Sequence, residues 1–407
     1  MQREYKIVIP VLMGLESCVG DELLALGFAP DRIHKEDARV LLDLDQDLAS
    51  VSRAVALCNV QLRTAERVEL EVCRFQAKDF DSLFDQAQDL AWEDYIEPRA
   101  AITVKGYSRK SQLFAPSAIQ STLKKAIILR LQKARGLKPG SQLPEDRNFH
   151  DRRVNYSIMR DEVSIRIDTS GAGLHKRAYR LAHTAAPIKE TLAAGLIMLS
   201  RFAPFSGEML YDPTAGSGTF VIEAALMAAN IAPGARRTFS GEAWAFLDSS
   251  AFAEAKESAI AQEDPDHFGE IFLAGSDLDP QAVKIARENA KRAGVAQLVN
   301  FQQKDLFDLR ADQLKADFGQ DRVLCISNPP YGERLADSAM AQKLHQGLGQ
   351  LAFYPDSNFT RPGCRLTVIT PGDFETDTGH KADKRRKLYN GMIPCTMYHY
   401  FREKYLA

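Results

Sequence analysis

The chain has 407 residues, enough for two or three domains of ordinary size. Hydrophobic residues make up 45% and charged residues 26%, close to the averages of globular proteins, which excludes wholesale disorder and low-complexity classes. No apolar run reaches the roughly 18 residues that a membrane-spanning helix needs. The six cysteines lie far apart without a Cys-x-x-Cys pair, which argues against a zinc site or a disulfide framework and favours a reducing cytoplasm. We therefore predict a cytoplasmic protein with no metal and no membrane partner.

The net charge of −2 conceals a strong asymmetry along the chain. Residues 99–180 carry 18 Lys and Arg against 6 Asp and Glu, whereas residues 1–98 carry 10 against 20. A basic block inside an acidic chain is typical of proteins that bind polyanions. The alternative is a solvated basic face that pairs with the acidic first segment. Charge alone does not decide between the two.

Small sheets with helices on one face are predicted for the first half of the chain, because short strands and amphipathic helices alternate there. In chain order these are strand 5–12, helix 15–26, strand 39–44, helix 48–58, helix 80–92, strand 101–107, helix 117–132 and a hairpin of 154–159 with 162–168. The Gly-punctuated, basic segment from 169 onward predicts a linker.

The second half predicts a parallel sheet, because strands alternate with longer helices. The predicted elements are helix 188–202, a strand ending at Asp212, helix 219–230, strand 271–276, a helix capped by Asp279, Pro280 and Gly294, strands 299–303, 323–327 and 365–370, and a closing strand 397–401 of undetermined direction. Residues 235–270 form an insertion with a helix of its own at 251–262.

A glycine-rich turn, Asp212-Pro-Thr-Ala-Gly216-Ser-Gly218-Thr219, follows one strand and opens a helix. Glycines let the backbone approach a ligand, and the helix start offers free N–H groups. Val221 occupies the third glycine position of the dinucleotide fingerprint, and no Gly-Lys-Ser/Thr follows, which excludes a triphosphate P-loop. A cofactor site and a merely tight turn both explain the motif.

Acidic residues follow the next two strands. Asp277 lies at the tip of the second strand, where doubly wound sheets hold ribose hydroxyls, whereas Asp279 is explained as a helix N-cap. Asp305 follows the third strand, in reach of an adenine amino group, although an ordinary loop acid would look the same.

The motif Asn328-Pro329-Pro330-Tyr331 directly follows the apolar strand 323–327. The two prolines hold the loop rigid and push Asn328 out of helical geometry. The loop presents an amide oxygen and the Pro329 carbonyl together, beside an aromatic ring. The alternative is a turn that merely ends the strand. However, the four residues follow their strand at the position that the glycine-rich turn occupies after the earlier strand.

Together these motifs resemble the S-adenosylmethionine-dependent methyltransferases that modify exocyclic amines of nucleic-acid bases. The whole chain resembles the THUMP-containing, RlmL-type ribosomal RNA guanine-N2-methyltransferases, also described as adenine-specific DNA methylases. Further typical segments are Gly14-Leu-Glu-Ser, Leu174-His-Lys-Arg-Ala-Tyr-Arg180, Ala186-Pro-Ile-Lys-Glu-Thr-Leu192 and Lys381-Ala-Asp-Lys-Arg-Arg-Lys-Leu-Tyr-Asn390. Some members continue into a second methyltransferase domain, and we expect the methylation that it carries to be absent.

The resemblance implies an α/β fold in which a Rossmann-like class I methyltransferase domain is preceded by an α+β ferredoxin-like and THUMP RNA-binding module. The expected boundaries are 1–58 for the ferredoxin-like domain, 59–168 for THUMP, 169–185 for a linker and 186–407 for the methyltransferase domain. It also implies S-adenosylmethionine as cofactor. The implied cofactor-binding residues are Asp212, Thr214, Gly216, Gly218, Thr219, Asp277 and Asp305.

The implied chemistry uses the loop at Asn328. The oxygen of its side chain and the Pro329 carbonyl would accept the N–H bonds of a base amine, so that the nitrogen lone pair points at the methyl carbon. Pro330 completes the rigid loop, and Tyr331 would stack on a base extruded from the RNA.

Binding of RNA falls to basic residues, of which any single one is more often a solvated surface charge. The predicted contacts are Lys105, Arg109, Lys110, Lys124, Lys125, Arg130, Lys384, Arg385, Arg386 and Lys387. For the last four the alternative is an exposed loop.

Several functions stay open from the sequence. Guanine-N2 methylation of large-subunit ribosomal RNA is the prediction; the same chemistry on tRNA, adenine-N6 methylation of DNA or RNA, and a non-catalytic ribosome-assembly factor are alternatives. The Asn-Pro-Pro-Tyr motif does not distinguish guanine N2 from adenine N6. A 4-thiouridine-type enzyme would need a Ser-Gly-Gly loop and catalytic cysteines, which the sequence lacks. The target nucleotide and the oligomeric state are not determined.

Overall fold

The computed structural model describes residues 5–45, 47–138, 140–144, 152–180, 188–264, 271–331, 335–354, 357 and 359–402. The end of the predicted linker (181–185) and the end of the predicted insertion (265–270) lie outside these residues. Among the helices of the described part, none combines the length and the apolar character needed to cross a bilayer.

The chain forms two compact units, and neither is continuous in sequence. The first contains residues 1–11, 20–174 and 234–258, and the second contains residues 12–19, 175–233 and 259–407. The segment predicted as a linker thus contributes 169–174 to the first unit and 175–180 to the second. The predicted insertion contributes its residues up to 258 to the first unit.

The first unit is built on one mixed sheet of seven strands in the order β2-β3-β1-β4-β7-β6-β5. Its strands are β1 (Lys6–Pro10), β2 (Ile33–Glu36), β3 (Arg39–Asp43), β4 (Glu69–Gln76), β5 (Ile102–Arg109), β6 (Arg152–Met159) and β7 (Glu162–Asp168). The helices of this part of the chain are α1 (Glu16–Ala25), α2 (Leu48–Gln61), α3 (Phe80–Asp89) and α4 (Pro116–Ala134). Within the part of the chain that the structure describes, strand β5 pairs with β6 alone, so it is an edge of the sheet.

The second unit is a doubly wound sheet in the order β10-β9-β8-β11-β12-β14-β13. Its strands are β8 (Glu208–Asp212), β9 (Leu273–Asp277), β10 (Val299–Gln303), β11 (Arg322–Ser327), β12 (Cys364–Thr370), β13 (Lys384–Asn390) and β14 (Ile393–Tyr400). The remaining helices are α5 (Glu190–Leu199), α6 (Thr219–Ala228), α7 (Ser249–Ala261), α8 (Pro280–Arg292), α9 (Ala311–Asp317), α10 (Leu335–Ala352) and α11 (Phe374–Thr378).

Parallel pairing in this second sheet positions the site. Strands β10, β9, β8, β11 and β12 all pair in parallel, so their carboxyl ends meet at one edge. Strand β14 runs antiparallel to both β12 and β13. The closing strand predicted at 397–401 is therefore part of a longer hairpin, whose edge strand is β13.

Most predicted elements are confirmed within a few residues, including the Asp279 cap, whose carboxylate accepts the Gln281 N–H. Strands β2, β4 and β13 and helices α9, α10 and α11 have no counterpart in the sequence-based prediction. In two of these strands charged residues interrupt the hydrophobic pattern from which strands are predicted. Glu69 in β4 is buried against Arg166, and β13 begins with four consecutive basic residues. The alternative of an exposed loop for residues 384–387 is therefore wrong, because they form ladder bonds with β14.

Candidate active site

The glycine-rich turn after β8 adopts backbone conformations that favour glycine. Gly216 has φ +51° and Gly218 has φ +81°, both in the left-handed region. A Cβ on Gly218 would lie 2.7 Å from the Phe301 ring and 3.0 Å from Cβ of Ala286. Gly218 is the residue before helix α6, which starts at Thr219. Glycine is therefore required here both for the turn and for close packing of α6 against its neighbours.

Asp212 ends β8 beneath this turn. Its carboxylate is buried and accepts the N–H of Thr214 at 3.0 Å. Burial raises the pKa of the Asp212 carboxyl well above its usual range, and the nearby Asp277 raises it further. A cationic group placed beside Asp212 would relieve this desolvation.

Asp277, at the end of β9, holds the glycine-rich turn. One carboxylate oxygen accepts the Gly216 N–H at 2.8 Å, and the other accepts the Asp279 N–H at 3.0 Å. The sequence predicts no capping role for Asp277. In the structure its carboxylate links the end of β9 to the turn that follows β8. This partly buried carboxylate still lines a cavity of about 260 Å³.

That cavity lies at the carboxyl edge of the second sheet and brings most of the predicted site together. Its walls include Asp212, Thr214, Gly216, Thr219, Asp277, Asn328, Pro330 and Tyr331, together with Ile188, Ala215, Ser217, Phe220, Asp279 and Ala282. Most residues of the glycine-rich turn and of the Asn328 loop therefore face one space, although the predicted site residues Gly218 and Pro329 do not line it.

The Asn328 loop carries a buried acceptor without a donor. Among the described residues, no group donates a hydrogen bond to the Oδ1 atom of Asn328. Leaving such an atom unpaired costs about 1–3 kcal/mol, and native structures contain few of them. The preceding Ser327 hydroxyl lies 2.7 Å from the Thr214 hydroxyl, which ties this loop to the glycine-rich turn. A ligand N–H is the missing partner that this arrangement suits.

Tyr331 is fixed by a residue that sequence reasoning missed. The Asn390 side-chain amide donates a hydrogen bond of 2.6 Å to the Tyr331 hydroxyl. Burial raises the pKa of Tyr331, so the phenol stays neutral at ordinary pH. Asn390 belongs to β13, and no spacing in the sequence connects it with Tyr331.

Asp305 lies apart from the other predicted cofactor residues. It caps a short turn by accepting the Phe307 N–H at 3.0 Å, and it does not line the 260 Å³ cavity. It lines another concavity, of about 400 Å³, together with Leu278. Leu278 is 65% exposed and Phe307 is 41% exposed, unusual values for large apolar side chains. Leu278 directly follows Asp277, and Phe307 lies two residues after Asp305. This proximity to the predicted ribose and adenine ligands is the sequence signal that could have identified the two apolar side chains.

Residues 177–180, which precede helix α5, contact helix α6 through their side chains. Arg177 and Glu223 form a buried ion pair, and the Tyr179 hydroxyl donates to the same carboxylate at 2.8 Å. Arg180 donates to the hydroxyl of Thr219 at 2.8 Å. The segment thus fixes the helix whose first turn follows the glycines.

The predicted RNA-binding residues fall into two sets, one in each unit. In the first unit, exposed Lys105 and Arg109 lie on edge strand β5, Lys110 follows it, and Lys124 and Lys125 lie on α4. Arg130, also on α4, is held by Glu93 through two hydrogen bonds of 2.6 and 3.0 Å.

In the second unit the four basic residues lie on β13. Arg385 pairs with Glu375 at 3.0 Å, and Arg386 donates to the Gly14 carbonyl at 2.6 Å. Lys384 and Lys387 are exposed. Across the ranges that the structure describes, no three His, Cys, Asp or Glu side chains come together as a metal site.

Three family models match successive parts of the chain. They are the RlmL ferredoxin-like domain over residues 6–69, the THUMP domain over 77–168 and the RMKL-like methyltransferase domain over 177–399. The predicted fold class and family resemblance are thereby confirmed.

Curated relatives match along nearly the whole chain. "Putative RNA methyltransferase YpsC" of Bacillus subtilis is 34% identical over 402 residues, covering 98% of this chain and 96% of that protein. "Ribosomal RNA large subunit methyltransferase K/L" of Ectopseudomonas mendocina is 34% identical over 416 residues, covering 98% of this chain but only 53% of that protein. The chain thus spans about half the length of the K/L relatives that it matches.

Solved structures agree with this assignment. SMU.472, described as a putative methyltransferase complexed with SAH, is 34% identical with a TM-score of 0.83, and the match covers 100% of both chains. A "predicted N6-adenine-specific DNA methylase" from Listeria monocytogenes is 36% identical with a TM-score of 0.84, covering 98% of this chain and 96% of that one. From its family match, its relatives and the shared fold, this chain belongs to the RMKL-like methyltransferase family.

Proposed function

We propose that this chain methylates the exocyclic N2 amine of a guanine in large-subunit ribosomal RNA, with S-adenosylmethionine as methyl donor. The observation that carries the proposal is the buried Oδ1 atom of Asn328, which has no hydrogen-bond donor among the described residues. Asn328 lines the same cavity as the glycine-rich turn. The demethylated product SAH in the SMU.472 structure supports the methyl donor. The K/L relatives support the ribosomal substrate through the half of their length that this chain matches.

The residues at the carboxyl edge of the second sheet fit this donor. S-adenosylmethionine, when bound, supplies an electrophilic methyl group on a sulfonium. The buried carboxylate of Asp212 would meet the cationic amine of its methionine part, and the backbone at Gly216 and Gly218 leaves room for close approach. Asp277 would receive the ribose hydroxyls. Exposed Leu278 would receive a face of the adenine, with Asp305, which lines the same concavity, near its edge.

The Asn328 loop would hold the base amine. An amine conjugated with a purine ring is a poor nucleophile because its lone pair is delocalised. If Asn328 Oδ1 and the Pro329 carbonyl accept its two N–H bonds, the nitrogen becomes more tetrahedral and its lone pair is freed for attack. No base is needed before attack, because the methylated ammonium readily loses its proton afterwards.

Extrusion of the base from the RNA is required for this geometry, and Tyr331 would stack on the extruded ring. Its hydroxyl is held by Asn390, so the ring is oriented before the base arrives. The basic residues of β5, α4 and β13 would contact phosphates, which supply affinity and orientation rather than sequence recognition.

Adenine-N6 methylation is the second candidate, because the Listeria structure of 36% identity is described as an N6-adenine-specific DNA methylase. Both bases offer an amine with two N–H bonds to Asn328. Guanine is favoured by the resemblance of the sequence motifs to guanine-N2-methyltransferases, whereas RNA is favoured by the K/L relatives and by the THUMP domain match at residues 77–168.

The test supplies radiolabelled S-adenosylmethionine and total RNA from a strain lacking the gene, followed by digestion to nucleosides. Label in N2-methylguanosine of the large ribosomal RNA is the expected result. Label in N6-methyladenosine or in tRNA would replace the base or the substrate of the proposal. Cofactor binding without label in any RNA, with label in added DNA, would favour the second candidate. Absence of both cofactor binding and label would favour the non-catalytic assembly factor.

A further inference from the structure

The tip of the β13–β14 hairpin exposes an apolar surface. Asn390 pairs with Ile393, so Gly391 and Met392 form a two-residue turn, with φ +64° at Gly391. The Met392 side chain is 93% exposed, the highest value among the large hydrophobic residues of the described ranges. Its neighbours Tyr389 and Ile393 are each 37% exposed. Met392 therefore contributes little burial to the fold, and together with the partly exposed Tyr389 and Ile393 it forms what we call the hairpin tip.

The hairpin tip is tied directly to the base pocket. Asn390, the residue before the turn, is buried and donates its 2.6 Å hydrogen bond to the hydroxyl of Tyr331. Met392 therefore lies two residues from a side chain that contacts the Asn-Pro-Pro-Tyr loop. A single exposed methionine would need no explanation. Met392, however, lies in the turn that directly follows Asn390, whose side chain is hydrogen-bonded to the candidate catalytic loop.

Strand β13, which carries the hairpin tip, is positively charged and is held in place by contacts with Gly14. Arg386 donates to the Gly14 carbonyl at 2.6 Å, and Leu388 is buried. A Cβ on Gly14 would lie 2.6 Å from the Leu388 side chain, so the strand packs tightly there. Exposed Lys384 and Lys387 lie on the same edge strand as the tip. An apolar point on a rigid, positively charged edge is complementary to stacked bases between phosphates.

We propose that the hairpin tip is a wedge that enters the RNA stack beside the target base and occupies the space next to it while the base lies against Tyr331. The inference rests on the proposed function and adds how the RNA is opened. Proteins that unstack nucleic acids insert methionine, leucine, isoleucine or phenylalanine between base steps, because these side chains replace stacking contacts. The cationic strand favours a polyanion as the occupant, and the THUMP match and the K/L relatives favour RNA among polyanions.

Photo-crosslinking tests the contact itself. Met392 is replaced by p-benzoylphenylalanine in the full-length protein, which is irradiated with total ribosomal RNA from a strain lacking the gene. Phe205 provides the matched control position: it is 55% exposed and precedes the amino end of β8, at the sheet edge opposite the candidate site. Crosslinks to RNA from position 392 well above those from position 205 are expected. Equal yields, or crosslinks only to protein, would overturn the proposal.

Methyl transfer tests the wedge. Met392→Ala should slow single-turnover transfer to folded ribosomal RNA about tenfold, because alanine replaces fewer of the stacking contacts that are lost when the base leaves the stack. Transfer to the same RNA cut into short unpaired fragments should change little, and Met392→Leu should restore the rate. Phe205→Ala is the control variant.

The outcomes separate the two proposals. Unchanged transfer in Met392→Ala on folded RNA, or equal losses on both RNAs, would reject the wedge while leaving the proposed function intact. If the unaltered protein labels no RNA, the proposed function fails, and the crosslinking result alone then judges whether the tip contacts RNA.

Discussion

The hydroxyls of Thr214 and Ser327 lie 2.7 Å apart and join the loop after β8 to the loop after β11. The first loop belongs to the candidate cofactor site, and the second presents Asn328. Ser327 is fully buried, so its hydroxyl depends on this contact. The pairing of β8 with β11 places these strand ends side by side, and in the proposed function this hydrogen bond would help to fix the cofactor relative to the base.

Breaking this contact should affect the rate through geometry. Thr214→Val should slow single-turnover methyl transfer about tenfold, because a small displacement of the reacting groups is costly. Ser327→Ala should do the same, and the double variant should be no slower than either, since one contact is lost in all three. Losses that multiply in the double variant would show that the hydroxyls act separately.

Asn328→Ala should lower turnover by about 10²–10³-fold, the usual effect of removing one transition-state hydrogen-bond partner. The affinity for SAH, measured by calorimetry, should be unchanged. The melting temperature should not fall, because the Oδ1 atom has no partner among the described residues to lose. A clear fall in melting temperature would mean that Asn328 is needed for the fold, and unchanged turnover would remove it from the mechanism.

Asp212 should make cofactor binding depend on pH. Its pKa is raised by burial in the free protein, and a bound cationic amine should lower it, so binding releases a proton. Affinity for SAH should therefore rise with pH up to the raised pKa of the free protein and level off above it. Calorimetry in buffers of different ionisation enthalpy measures the proton release. A pH-independent affinity would contradict this assignment.

Asp212→Asn is the matched variant, because the amide oxygen can still accept the Thr214 N–H. It should abolish the pH-dependent part of SAH binding. It should also stabilise the free protein: a carboxyl with a raised folded-state pKa costs stability as pH rises above its unfolded pKa of about 3.9. The gain in melting temperature over the unaltered protein should grow with pH and vanish in acid.

Arg177→Met should destabilise the protein by about 3–5 kcal/mol, because it leaves the buried Glu223 carboxylate without its counter-charge. The double variant with Glu223→Gln should recover much of this loss. The free energy of unfolding in urea measures both. A small effect of the single substitution would show that the Tyr179 hydroxyl and Arg180 suffice to hold helix α6.

Lys384 and Lys387 should contribute salt-dependent RNA affinity. Arg385 and Arg386 are each held by another residue. The ammonium groups of the two lysines, in contrast, form no ion pair or hydrogen bond within the ranges described. Replacing both with alanine should weaken RNA binding and reduce the slope of log K against log salt by about 1.4–1.8, or roughly 0.7–0.9 per phosphate contact. Lys105→Ala with Lys110→Ala is the corresponding test for the first unit. An unaltered slope would remove β13 from the interface.

The sequence predicted the elements around the site because their signals are local. A glycine turn between a strand and a helix, an Asp-Pro helix cap and prolines after an apolar strand are each determined by neighbouring residues. Strand β4 escapes the sequence-based prediction because its buried Glu69 pairs with Arg166 across the sheet, and β13 escapes it because its first four residues are basic.

The sequence by itself determined the family, most of the elements around the site and the residue types at the strand ends. Only the tertiary structure decided how those ends engage one another: Asp277 holds Gly216, Ser327 meets Thr214, and Asn390 reaches Tyr331 across the chain. It also separated Asp305 from the cavity that most of the other predicted cofactor residues line. The physical reason is that backbone preferences act over a few residues, whereas hydrogen bonds between side chains depend on which strands the sheet makes neighbours.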